Sequence, residues 1–128
     1  MTDHHWTETE FVDSVVRPWL HEEFGAGSVF EGVHLSLIDR YPDFVVDAGG
    51  DVVWMVEVED DRGSVIDGIG QAITYAGVDG LSVDVGPPDA THLPVLICPM
   101  GETHIPEITI LSYSEVHIKE LDAGELGE

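Results

Sequence analysis

Between Phe44 and Glu59 the chain writes a hairpin. Phe44-Val45-Val46 and Val52-Val53-Trp54-Met55-Val56-Glu57-Val58-Glu59 are runs of β-branched, aromatic and other apolar residues, and Ala48-Gly49-Gly50-Asp51 between them has the composition of a tight turn. This segment constrains the fold most, because a strand as apolar as the second run needs cover on both faces and so belongs inside a sheet. The run nevertheless ends in two carboxylates. Period-two alternation places Glu57 and Glu59 on one face, with Val56 and Val58 on the other. The hairpin brings either Asp43 or Asp47 onto the neighbouring strand. Carboxylates leaving a central apolar strand are costly unless a ligand or an opening to solvent meets them.

The flanking segments supply candidate cover. Thr7-Glu8-Thr9-Glu10 reads as a capping box, with Thr7 at the N-cap and Glu10 reaching back, and Trp6 and Phe11 are placed to form a hydrophobic staple. Phe11, Val12, Val15, Val16, Trp19 and Leu20 follow at helical spacing, and Pro18 predicts a kink or an early end. At 100° per residue Glu8 falls on the apolar side and Glu10 opposite it. A first strand, or its approach, is expected over His34–Ile38. After a loop at Asp60–Ser64, a second helix is expected with Val65, Ile66, Ile69, Ala72, Ile73 and Ala76 on one face and Gly77 just past its end. Leu81, Val83 and Val85 suggest a short exposed strand, Val95 to Cys98 a buried one, and Ile108–Leu111 another. Pro94 argues against a central place for the start of the buried run. Val116–Leu121 reads as helix or strand. The order is that of a single α/β domain over residues 1–128, built on a central mixed sheet flanked by helices.

Composition bounds the environment. Four basic residues stand against 26 acidic ones, a formal charge of -22, and the acidic residues are spread along the chain among apolar runs. Such a surface would repel itself in dilute buffer, and it resembles the adaptation of halophilic archaea and their viruses to molar salt. The single cysteine, Cys98, excludes an internal disulfide and a cysteine-based zinc cluster, and its apolar neighbours predict a core thiol. No basic-then-apolar leader and no long apolar run is present, so the sequence predicts a cytoplasmic protein with no membrane span.

Asp43 and Glu57, with the main-chain carbonyl of Val58, offer hard oxygen ligands of the kind that Mg²⁺ or Mn²⁺ takes, at about 2.1 Å for Mg²⁺. Glu59 suits either a ligand role or that of a base orienting the attacking water. Metal coordination would lower the pKa of that water and offset charge on a phosphate. Gln71 and Tyr75 fall on one flank of the second helix, away from its apolar side, and Gly68 and Gly70 leave that surface free of bulk, which suits close approach by a phosphate backbone. Arg62 is placed either to touch phosphate or to shield Asp60 and Asp61.

Pro42-Asp43 followed fourteen residues after Asp43 by Glu57-Val58-Glu59 resembles the signature of the PD-(D/E)XK restriction-endonuclease-like nucleases, with Glu59 where most members carry lysine. Glu8, 35 residues before Asp43, resembles the N-terminal-helix glutamate of several members, the archaeal Holliday-junction resolvases among them. Gln71-Ala72-Ile73-Thr74-Tyr75 resembles the Q-x-x-x-Y element of the RecB-like branch. The likeness spans residues 7–77. It implies an αβββαβ core and a Mg²⁺- or Mn²⁺-dependent deoxyribonuclease, with Asp43, Glu57, Glu59 and Glu8 catalytic and Gln71, Tyr75 and Arg62 on DNA. The alternative is an inactive member of the fold serving nucleic-acid handling or assembly. So acidic a chain would need a dimer mate or a basic partner subunit to supply contacts to DNA.

Overall fold

The computed structural model describes residues 6–35, 39–60, 68, 71, 73, 74, 85–87, 89–99 and 116–123. A helix opens the fold in three pieces: α1 (Glu8–Phe11), a π turn (Val12–Val16) and α2 (Arg17–Phe24). The capping box forms as the sequence predicts: the Glu10 N–H donates to Thr7 Oγ1 at 3.2 Å and the Thr7 N–H to Glu10 Oε1 at 3.1 Å. Trp6 stacks on Phe11 at 5.4 Å. Pro18 does not end the helix, which continues to Phe24. The π turn precedes it, with the Arg17 N–H donating to the carbonyl of Val12 five residues back. The wider turn absorbs one extra residue. In a straight α-helix Phe11 and Leu20 would point about 180° apart, whereas one absorbed residue brings them within about 80°. Phe11, Val16 and Leu20 are all fully buried in one core cluster.

The sheet has five strands in the order β1 (Val29–Phe30), β2 (Phe44–Gly49), β3 (Val52–Val58), β4 (Thr91–Pro99) and β5 (His117–Leu121). The first three run antiparallel, and β4 and β5 join parallel to β3 and to each other. The protein is therefore α/β with a mixed sheet. The predicted turn closes β2 on β3 with positive φ at Gly50 (61°) and Asp51 (63°), as the tight turns of two-residue hairpins require. Ala48 is left over where Asp47 pairs with Val53 and Gly49 with Val52. The Asp47 carboxylate braces this bulge by accepting the Gly49 N–H at 3.1 Å.

Two strand expectations need correction. The edge partner of β2 is Val29–Phe30, and the described part of the segment expected as a first strand contributes one bridge, Leu35 to Arg40. Pro94 lies inside β4, opposite Met55. The main-chain groups of Thr91 face β3, since its N–H donates to the carbonyl of Asp51 at 2.8 Å, so by alternation those of Pro94 face the other way. Among the described residues β5 first meets β4 at Val95, one position later, so the missing donor interrupts no described ladder bond. Val116–Leu121, open between helix and strand, contains β5. The expectations at Leu81–Val83, Ile108–Leu111 and most of the second helix fall outside the described residues.

One face of the sheet holds Phe44, Val46, Val56, Val58, Val95, Ile97 and Leu121 under the N-terminal helix. The other holds Val45, Val53 and Met55 against Leu35, Val85 and Ala90, with Leu96, Cys98 and Val116 beside them. Each fully buried aliphatic or phenyl side chain contributes about 1.5–3 kcal/mol. At the carboxyl end of β3 this second face changes from apolar to acidic, with Glu57 and Glu59.

Candidate functional site

The hairpin register decides which aspartate meets Glu57. Phe44 pairs with Val56 and Val45 with Met55, so Asp43, one residue before β2, stands opposite Glu57 and on its face. Asp47 is at the turn end, opposite Val53. Asp43 Oδ2 accepts the Val58 N–H at 2.7 Å. In return the Asp43 N–H donates to the Glu57 carboxylate, and the two side chains share a hydrogen bond. Just before Asp43, His34 lies 2.8 Å from Asp39 and stacks on Tyr41 at 4.8 Å.

Glu57 is 5% exposed and Glu59 8%. Burial pushes the Glu57 carboxyl up to about 9, assisted by the nearby charges of Asp43 and then Glu59. Burial also raises Asp43, against the lowering effects of the Val58 N–H and of the hydrogen bond from Glu57. Glu57 thus keeps the proton and donates it in the hydrogen bond to Asp43. Two carboxyl groups hold one proton in a covered site.

Among the described residues no three His, Cys, Asp or Glu side chains gather into a metal-holding set. Mg²⁺ does not require three, since it commonly binds one or two carboxylates and keeps several waters. Oxygens in hydrogen-bond contact have about the separation of adjacent corners in an octahedron of 2.1 Å bonds, roughly 3 Å. A cation replacing the shared proton therefore fits the Asp43–Glu57 pair. Strand alternation sends the Val58 carbonyl to the same side as its N–H, toward Asp43, so it suits a third ligand.

The remaining expected residues distribute differently. Glu59 is buried one pleat beyond Glu57 on the same face. Glu8 is exposed on the first turn, not inward as its helical angle predicts, because Phe11 is the first residue of α1 that the fold buries. Gln71 is helical and exposed, in keeping with a flank away from the core. Ile73, expected on the apolar face, is 40% exposed, whereas Gly68 is buried. Among its described residues, Gly68 and not Ile73 is turned to the protein. Arg62 and Tyr75 lie outside the described residues. Gly68 is the residue whose role the sequence reading misplaced: its bareness accommodates Glu59 and Leu96, where an open surface for phosphate was expected. The signal was present, since a glycine inside a helix costs about 1 kcal/mol relative to alanine.

No family model, no curated protein and no solved structure matches the chain.

Proposed function

We propose that this protein is a Mg²⁺- or Mn²⁺-dependent deoxyribonuclease of restriction-endonuclease-like fold, working in concentrated salt. The observation that carries the reading is the buried Asp43–Glu57 pair, fixed opposite each other by the hairpin register and bound to the Val58 and Asp43 main-chain N–H groups. Its place is chemically apt: ligands of open α/β sheets sit beyond the carboxyl ends of the strands, where the acidic end of β3 lies. The antiparallel β1–β2–β3 meander continued by parallel β4 suits the αβββαβ core that the sequence resembles.

Asp43, Glu57 and the Val58 carbonyl would hold the metal. A bound Mg²⁺ or Mn²⁺ supplies an activated water and charge neutralisation at the scissile phosphate. Glu59 would orient the attacking water and accept its proton, a role lysine cannot fill while charged. Gln71, exposed on its helix, is available to hydrogen-bond phosphate. With only four basic residues, binding to DNA rests on metal bridging, main-chain donors and contacts from a second copy or a basic partner subunit.

Single-stranded, duplex and branched DNA incubated with either metal at about 2 M KCl, where screening is within roughly 3 Å, tests the reading. Cleavage is expected, with Asp43→Asn and Glu57→Gln each reducing the rate at least about a hundredfold, as loss of a central catalytic charge does. Absence of cleavage, or activity undiminished in Glu57→Gln, overturns it. A second reading, an inactive member of the fold used in assembly or nucleic-acid handling, is favoured by one feature: the protonated pair satisfies itself without a ligand. A silent parent with activity gained in Glu59→Lys is its expected outcome.

A further inference from the structure

Glu59 is covered by main chain. A Cβ on Gly68 would stand 2.5 Å from Glu59 Cγ, 2.8 Å from Leu96 Cδ1 and 3.2 Å from Glu59 Oε1. The first two separations are shorter than non-bonded carbons tolerate, so no other residue fits without displacement. Leu96 is fully buried on β4, paired in register with Glu57, and has little room to retreat. Gly68 itself is buried and helical. The helix main chain is thereby pressed onto the stem of Glu59, which stays within electrostatic reach of Glu57.

We propose that Gly68 is the positioning residue of the acidic site: its missing side chain lets the helix main chain seat the Glu59 carboxylate on the face that carries Asp43 and Glu57. The proposal rests on the metal-site reading above and adds to it a device, outside the proposed ligands, that fixes the third carboxylate. Gly68 is helical and has no positive φ, so its backbone conformation alone does not call for glycine. A chain choosing for helix stability alone would place alanine at this position.

The test is Mn²⁺ binding, followed by titration at fixed high KCl, in Gly68→Ala made in three backgrounds: parent, Leu96→Val and Glu59→Ala. Leu96→Val removes the second steric conflict, so a folded protein is available in which the added methyl meets chiefly Glu59. In parent and Leu96→Val, Gly68→Ala is expected to weaken Mn²⁺ binding about tenfold, the lower end for groups that orient metal ligands. In Glu59→Ala, Gly68→Ala is expected to add less than about a twofold change, the size of effects between uncoupled positions. An unchanged affinity on adding Gly68→Ala to Leu96→Val overturns the proposal, as does a loss that persists undiminished without Glu59. These outcomes leave the metal site standing. If the parent shows no Mn²⁺ binding that Asp43→Ala abolishes, the metal reading falls, and this proposal with it.

Discussion

At the scale of single residues, Glu57 gives the sharpest expectations. Its carboxyl is raised from the ordinary range to about 9 in the folded protein, so between about pH 4.5 and 9 the folded state holds a proton that the unfolded chain has released. More protons on the folded state means that stability falls as pH rises through this window and levels off above it. Glu57→Gln keeps a neutral donor beside Asp43 without the proton. In metal-free buffer at pH 8 it should stabilise by at least about 1.4 kcal/mol, one pKa unit's worth, and flatten the decline seen by thermal melting across pH. Adding Mg²⁺ should reverse the ranking: at a hundredfold excess over Kd a site specific to the folded parent gains about 2.7 kcal/mol, and the variant gains almost none. Equal Mg²⁺ responses would mean diffuse screening only. Glu57 and Glu59 were legible because carboxylates interrupting an apolar strand are conspicuous, whereas the sequence left Asp43 and Asp47 open and the register, with its bulge at Ala48, puts Asp43 opposite Glu57. Glu8 was not, because a helical angle tells direction but not how far the covering sheet extends. Gly68 was visible as an anomaly, and its neighbour Glu59 could be named only from the folded chain.

Among the elements, the π turn separates register from proline. If the need to align Phe11, Val16 and Leu20 holds the wide turn, Pro18→Ala alone should change stability by less than about 1 kcal/mol, since Pro18 is exposed and the turn persists. Deleting Ser14, also exposed, should give a regular helix with the same buried face, provided Pro18 is first replaced. The same deletion with Pro18 in place should cost about 3 kcal/mol, the penalty of an interior helix proline. Circular dichroism melts of the three proteins check this. The π turn could not be read from periodicity, because a one-residue slip in the apolar pattern looks like ordinary irregularity. The β2–β3 hairpin was readable from its turn residues and flanking apolar runs. β1 was not, because two residues between Gly27-Ser28 and Glu31-Gly32 carry no alternation. Pro94 misled in the other direction: proline forbids a ladder bond, not a strand, and its nitrogen points to the side where no described partner stands.

For the whole molecule, charge outweighs any single contact. At a formal charge of -22 the compact state repels itself, and raising ionic strength from about 0.1 M to 1 M shortens the screening length from roughly 10 Å to 3 Å. The melting temperature should climb steeply over that range and then flatten; a melt independent of KCl would contradict a surface adapted to salt. Individual ion pairs matter less. Arg17 bridges Asp13 at 2.6 Å and Glu31 at 2.8 Å, joining the helix to the segment after β1, yet it is partly exposed and worth at most about 1 kcal/mol, less in molar KCl. Composition made the charge plain, and local pattern made the β2–β3 hairpin plain. The parallel order of β4 and β5 was beyond reach, since alternation marks a strand without naming its neighbour. The wide turn in the helix also bears on ancestry. It has the geometry that one extra residue in a helix leaves, so a relative with a regular helix here should run one residue shorter between the positions of Phe11 and Val16. A comparison that forbids a gap there would misalign the helix against everything that follows.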